Sequence, residues 1–465
     1  MCGVMNMVKN KNKVLKFIIM FLILFVSFRE ILGLYINLYI KFVPDLIIWS
    51  MFLYLIIKRK FKVNVEKYDI YFVFFLVIGF VSTVINHVSI ISYMLQFRSI
   101  TSIYVLYFIL RNINISKEIL NSICKEILFI SAILTVLSIV EFITNKCVLF
   151  PQKWALSIQF YSNYERVYSL LNNPNTFAMY LLMSIMLVSS FNKKNFKVHY
   201  VLYTLYLTGI LLSGSRSAFI SLIILILFFV VHLLKGKTYS QFLYFFAAVF
   251  ISIISVVLLT FINESFNVNC KCNERFISKN DSVINDSKNN TSSNPNPNDQ
   301  DKIPNKEDKN TNNGSSVSII NRWEETFSGV TQKNSAANGR IYNIKLGLEI
   351  FKDNSLIGTG FGTFGSSASR LVEPNLYKKY NISKGFYADN DYIKIIVETG
   401  ILGVISFAFF ALSLLNHYRK NVKQMLLLFI FFLNGMFYNI TELQVLCIVL
   451  WFSILIFDGD ENLNE

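Results

Sequence analysis

Long apolar runs separated by short polar breaks recur over nearly the whole chain, and they set its architecture. The runs lie near residues 15–36, 39–57, 69–86, 94–110, 126–143, 170–190, 198–213, 217–234, 240–262, 391–415, 424–440 and 442–458. A helix of about twenty apolar residues spans a bilayer's hydrocarbon core. Backbone polar groups in hydrocarbon must bond internally, so the runs predict helices. The pattern therefore predicts an all-α polytopic membrane protein with about twelve transmembrane helices. Arg29-Glu30 and Arg98 fall inside two of the runs. Adjacent opposite charges can pair or snorkel, so they do not break the assignment.

The polar breaks orient the runs. With the N-terminus inside, the inner breaks hold Lys9, Lys11, Lys13, Lys16, Lys58, Arg59, Lys60, Lys62, Lys67, Arg111, Lys117 and Lys125. They also hold Lys193, Lys194, Lys197, Lys235, Lys237, Arg419, Lys420 and Lys423. The short outer breaks hold only Lys41, Arg98, Lys146, Lys153, Arg166 and Arg216. That asymmetry predicts both termini in the cytoplasm and one large extracytoplasmic loop. The basic start followed by an apolar run without a small-residue cleavage site predicts an uncleaved signal anchor.

The expected division is 1–262 for the first nine helices, 263–388 for the outer loop, 389–458 for the last three helices, and 459–465 for a cytoplasmic tail. Within the loop, residues 277–317 are Asn-, Asp-, Ser-, Lys- and Pro-rich and too poor in apolar residues to order themselves, so a disordered insertion is expected. Residues 340–352 predict an amphipathic helix with Ile341, Ile344, Leu348 and Phe351 on one face, lying on the membrane or on the tops of the spans.

Composition changes this picture little. Of the residues, 54% are hydrophobic and 16% charged, as a polytopic membrane protein requires. The net charge of +15 comes from the clusters between apolar runs, so it reads as topology rather than nucleic-acid binding. Six Cys show no metal spacing; Cys270 or Cys272 could at most bridge to Cys147. Of the four His, His199, His232 and His417 fall on the inner side and His87 stands alone outside, so no metal site is expected.

The candidate chemistry gathers at the outer face. Arg216 sits in Ser213-Gly-Ser-Arg-Ser217, a short turn between two runs, with Ser215 and small neighbours leaving room for a ligand. An arginine there is costly unless paired or in a wet cavity, and its fork matches phosphate oxygens. Arg166 precedes Asn172-Asn173-Pro174-Asn175, where Asn173 and Asn175 supply amides and Pro174 suits a first helical turn. Arg340 opens the amphipathic helix. Asp389-Asn390-Asp391 stands at a helix start, where the dipole alone favours carboxylates and where either Asp could accept or orient a hydroxyl proton. Glu398 lies about two turns on, where a carboxylate needs a partner, expected to be an arginine or hydroxyl inside the bundle. Gly358-Thr-Gly-Phe-Gly362 follows no strand and belongs to no βαβ unit, so it reads as a tight turn returning the chain to the membrane rather than a dinucleotide loop.

Taken in order, Arg166 with Leu171-Asn-Asn-Pro-Asn175, Ser213-Gly-Ser-Arg-Ser217, Gly339-Arg340, the Gly-x-Gly-x-Gly turn, Asp389-Asn390-Asp391-Tyr392 and Glu398-Thr-Gly-Ile-Leu-Gly403 resemble the bacterial O-antigen ligase and polymerase family, over most of residues 70–440. The resemblance implies a type C glycosyltransferase-like fold in the bacterial plasma membrane; the placement of the His predicts catalysis without metal, and no cofactor is expected. It implies a polyprenyl-pyrophosphate-linked glycan donor and acceptor, membrane lipid as surroundings, and a flippase and a chain-length regulator as candidate partners. Arg216, Arg340 and Asp389 would be catalytic, the arginines holding the pyrophosphate. Arg166, Asn173, Asn175, Ser215, Asn390, Asp391 and Glu398 would bind substrate. Ligases of the family carry His-Asn where this chain has Asp389-Asn390, which favours a polymerase of capsule or O-antigen repeats over a ligase. A transporter of lipid-linked glycans is the competing class, but it would show internal repeats and polar groups near the midplane.

Overall fold

The computed structural model describes residues 2–36, 38–59, 62–113, 115–144, 166–191, 196–234, 239–269 and 339–461. The expected disordered stretch 277–317 and the cysteines Cys147, Cys270 and Cys272 lie outside the described residues. Every predicted run carries a helix: α1 Cys2–Tyr35, α2 Val43–Arg59, α3 Lys67–Ile85, α4 Ile90–Asn112, α5 Lys117–Ile143, α6 Pro174–Val188, α7 Phe196–Ser213, α8 Arg216–Leu234 and α9 Tyr239–Asn269. Next come α10 Arg340–Asp353, the short α11 Ser367–Leu371 and α12 Asn375–Lys379, then α13 Asp391–His417, α14 Val422–Asn434 and α15 Gln444–Glu461. No strand occurs among the described residues. Among the described residues, 7 helices are long and apolar enough to cross a membrane: Lys13–Tyr35, Tyr39–Lys58, Lys67–Ile85, Ile90–Asn112, Lys117–Ile143, Leu243–Ser265 and Asp391–His417. Pro174–Val188, Arg216–Val231, Val422–Asn434 and Gln444–Gly459 are shorter apolar helices. The chain is a multi-pass membrane protein by this pattern.

The core centres on α6, which is apolar all round and buried from Thr176 to Val188. It packs against α5, α7, α8, α14 and α15. In lipid, apolar contact alone gives little drive for helix association, so packing and interhelical hydrogen bonds count. Ser131 meets Ser184 at 2.6 Å, Tyr206 Oη donates to the Leu128 carbonyl at 2.6 Å, and Asn434 Nδ2 donates to Ser221 Oγ at 2.7 Å. Each such bond is worth about 0.6 kcal/mol. The outer helix α9 instead exposes Leu243, Phe250 and Leu258, as a surface facing lipid does.

Arginines within the framework are matched. Arg29 pairs with Glu30 at 2.8 Å, Arg98 with Asp45 at 2.6 Å and Arg111 with Asp69 at 2.6 Å. Gln444 bridges the first two pairs, accepting from Arg29 and donating to Asp45 at 2.7 Å.

The decisive fold feature is a break in α13. Gly400 leaves the helical region at φ 62, which a side chain rarely adopts. The segment before the glycine turn fills the break: Ile401 N–H donates to Ser355 O at 2.8 Å, and Thr359 N–H to Val397 O at 2.8 Å. Gly358 and Gly400 meet so closely that a Cβ on Gly400 would stand 2.6 Å from the Gly358 nitrogen. Freed backbone groups are thus satisfied inside protein, the condition for non-helical chain at such depth.

Two expectations need correction. The helix expected over 340–352 forms, but its buried face is Asn343, Leu346, Gly347 and Ile350, packed on α13, while Ile341 and Leu348 are exposed. The close approach is made through Gly347, where a Cβ would lie 2.3 Å from Ile393 Cγ2. Leu346 and Ile350, beside Asn343 and Gly347, thus make the buried contact in place of Ile341 and Leu348. The run 424–440 carries helix only to Asn434, because residues beyond it turn to bond the start of α13: Asp391 N–H donates to Gly435 O at 2.8 Å.

Candidate active site

Two carboxylates fix the loops around the candidate residues. Glu141, near the end of α5, accepts from Tyr168 N–H at 3.2 Å and Ser169 N–H at 2.6 Å, and so holds the segment after Arg166. Glu398 accepts from the N–H groups of Gly362, Thr363 and Phe364 at 3.0, 3.0 and 3.2 Å. The expected arginine or hydroxyl partner of Glu398 is therefore replaced by the backbone of the glycine turn. The turn, with φ 96 at Gly360 and 77 at Gly362, presents several N–H groups to one oxygen, which an arginine would otherwise have to supply.

Arg166, Asn175 and Ser215 form one hydrogen-bonded group. Arg166 donates through Nε to Ser213 O at 3.1 Å and through its guanidinium to Asn175 Oδ1 at 2.8 Å. Ser215 Oγ donates to the same Asn175 oxygen at 2.9 Å. Asn173 caps α6, its Oδ1 accepting from Asn175 N–H at 2.8 Å and Thr176 N–H at 3.2 Å. These bonds lock the turn that presents Arg216.

Arg216 and Arg340 share a position: each is the first residue of its helix. A helix N-terminus carries partial positive charge, so a cation there is unfavourable by about 0.3–1 kcal/mol, whereas an anion is attracted. Gly339 caps α10 without any side-chain acceptor. Arg216 Nε is buried without a hydrogen-bond partner among the described residues. Arg340 lies over the Phe437 ring at 6.0 Å and within electrostatic range of Arg216, Asp389 and Tyr438. Burial, reinforced by Arg216, lowers the Arg340 pKa against the pull of Asp389. Arginine still stays protonated near neutrality.

Asp389 stands beside them with φ 50, a left-handed conformation that Asp tolerates. Asn343, one turn into α10, donates to Tyr387 O at 3.1 Å and Ala388 O at 2.9 Å, tying the Arg340 helix to the Asp389 segment. Burial raises the Asp389 pKa, with Arg340 and Arg370 partly opposing it. Arg370 is exposed, 5.7 Å over the Tyr387 ring. Arg216, Arg340, Asp389 and Arg370 thus form a row of successive electrostatic neighbours whose formal charges leave an excess of two positive. Such a row can hold a dianion and place a carboxylate next to it.

Asn390 and Asp391 sit differently. Asn390 caps α13 through Ile393 N–H at 3.0 Å and donates to Met436 O at 3.0 Å. Asp391 bonds Lys394 at 2.7 Å and both the N–H and hydroxyl of Thr441 at 2.9 and 2.8 Å. Lys394 also pairs with Glu442 at 2.8 Å. Burial alone would raise the Glu442 pKa, but Lys394 and two bonds from Ser367 bring it below the ordinary value. Asn390, Asp391 and Glu398 therefore lie in the framework around the row, not in it.

Sequence reasoning passed over Glu141, Asn343, Arg370, Lys394, Tyr438 and Glu442. Lys394 carried a signal: a cation inside an apolar run, three residues after Asp391, demands a partner. Asn343 carried a weaker one, lying three residues after Arg340 and so on its face of the helix. Tyr438 Oη, buried and without a hydrogen bond among the described residues, is visible only in the fold.

Comparison with known proteins now adds a fixed point. Residues 201–408 match the profile of the family described as O-Antigen ligase. Over this stretch, which is under half of the chain, the protein is similar to the O-antigen ligase and polymerase family. No curated protein matches the chain. That similarity points to glycosyl transfer of O-antigen ligase or polymerase type on lipid-linked glycans in the membrane. Arg216, Arg340, Arg370, Asp389 and Glu398 all fall within the matched residues, while Arg166, Asn173 and Asn175 precede them.

Proposed function

We propose that the protein is a polymerase that joins polyprenyl-pyrophosphate-linked oligosaccharide repeats into a capsule or O-antigen type polysaccharide at the outer face of the bacterial plasma membrane. The topology proposed with it has both termini in the cytoplasm and residues 263–388 outside. The observation that carries the reading is the pair of arginines, each opening a helix and unpaired among the described residues, beside a carboxylate of raised pKa.

The chemistry follows from that row. The donor's pyrophosphate lies against Arg216 and Arg340, whose charges and helix N-termini stabilise the negative charge that grows as the lipid pyrophosphate leaves. Asp389 accepts the proton of an acceptor sugar hydroxyl as its oxygen bonds to the donor's anomeric carbon, with inversion. The bond from that carbon to the pyrophosphate oxygen breaks in the same step. A raised pKa makes Asp389 the stronger base, and arginines supply the charge stabilisation without a metal. Arg166 contributes by holding the Ser213–Ser217 turn.

The test is gel analysis of surface polysaccharide and lipid-linked glycans from cells lacking the protein. Loss of the high-molecular-weight ladder, with single repeats left on lipid, supports a polymerase. Full-length polymer stranded on carrier lipid makes it a ligase instead, and an unchanged ladder refutes both.

A further inference from the structure

A groove of about 390 Å³ opens between the α3–α4 turn, the glycine turn and the segment around α12. Its volume matches ordinary small-ligand sites of roughly 300–1,000 Å³. Its floor is fixed in place. Thr359 and Thr363 hydroxyls bond each other at 2.6 Å, Ser92 Oγ donates to Gly362 O at 2.7 Å, and Asn86 Nδ2 donates to Gly358 O at 3.0 Å.

The rim is different. The side chains of His87, Ser89, Glu373 and Asn375 make no hydrogen bond among the described residues, although all face one groove. Together they offer both donors and acceptors. Charge is nearly balanced: the lysine present, Lys379, is already ion-paired with Asp353 at 3.6 Å, and no arginine lines the groove. That excludes the pyrophosphate itself as the natural occupant. Val88, Val372, Pro374 and Leu376 add apolar surface between the polar groups. Mixed donors and acceptors alternating with apolar surface suit the hydroxyls and C–H faces of sugar rings. The glycine turn connects this groove to the row of charges, since Gly365, two residues after Thr363, accepts from Ala388 N–H at 3.0 Å beside Asp389.

We propose that the groove bounded by His87, Ser89, Glu373 and Asn375 is a binding site for the sugar chain of a lipid-linked substrate, separate from the arginines that hold its pyrophosphate. The inference rests on the polymerase reading for the origin of that chain. The experiment titrates the detergent-purified full chain with oligosaccharide released by mild acid from the host's lipid-linked repeats, followed by saturation-transfer NMR. Wild type and Arg216→Ala are expected to bind alike, and the double variant His87→Ala/Asn375→Ala at least tenfold more weakly with an unchanged melting temperature. A double variant that binds as wild type does, or a wild type that does not bind, overturns the site. Conversion of lipid-linked repeats by the same wild-type preparation reads the polymerase separately: turnover without glycan binding removes the groove alone, and binding without turnover leaves the groove and removes the polymerase.

Discussion

Arg29, Arg98 and Arg111 each have a carboxylate within 2.8 Å, whereas Arg216, Arg340 and Arg370 have no ion pair or side-chain hydrogen bond among the described residues. The first group ties helices of the framework together. Arg111, for example, also donates to Tyr68 Oη and to Asn64 O at 2.9 Å. The second group gathers around Asp389. Where this fold needs an arginine for cohesion, it supplies a partner. An arginine left at a helix N-terminus, against the dipole and unpaired, has its natural partner in an anion from outside the chain.

Substitutions separate the two groups of arginines. The largest effect is expected from Arg216→Ala or Arg340→Ala: transfer from lipid-linked repeats falls about 100- to 1,000-fold, as for lost oxyanion donors. Detergent melting temperature stays near wild type, because neither side chain bonds the fold. A large drop in melting temperature would move these arginines into the framework group.

Asp389→Asn comes next, with turnover lower by about 100-fold. The wild-type pH profile carries the sign. Asp389 must be ionised to take a proton, so activity falls as pH falls through its pKa, which burial places above the ordinary carboxylate value of about 3.9. The acidic limb should therefore sit higher than for an exposed Asp and vanish in the variant.

Asp69→Asn tests the other group. It leaves Arg111 without its 2.6 Å partner in a site only 14% and 7% exposed. Loss of one member of a buried pair costs about 3–5 kcal/mol, and partial exposure brings the expectation to about 2 kcal/mol. The yield of folded protein and its melting temperature fall, while specific activity of the folded fraction holds. Arg370→Gln is the mildest. Arg370 helps keep the Asp389 pKa down, so its removal should shift the acidic limb to higher pH with a change of about threefold in rate near neutrality. An unmoved limb would detach Arg370 from the row.

Much of the fold was legible because a membrane leaves few options: apolar runs of sufficient length must be helices. The run at 391–415 is α13, Asp391–His417, and the helix opening at Arg340 starts there. The failures share one cause. Glu398, Gly400 and residues 435–443 look like apolar-run residues or a span end, yet their backbone and side chains are spent on partners distant in sequence. No local pattern announces that Glu398 will accept from Gly362, 36 residues away. At the site, residue types near the outer mouth were readable, since arginine at membrane depth is costly whatever the fold. Which of them were unpaired was not. Arg166 and Arg216 look alike in sequence, and only the structure shows the first bonded to Ser213 and Asn175 and the second with a buried Nε that bonds nothing described.

The central claim, that Arg216 is kept unpaired to grip a pyrophosphate, is tested most directly by turnover of purified Arg216→Lys on polyprenyl-pyrophosphate-linked repeats. Lysine keeps the charge and loses the planar fork. The account predicts a folded protein with the wild-type melting temperature and transfer reduced by about 100-fold, comparable to loss of a preorganised donor. Wild-type turnover by Arg216→Lys would contradict it.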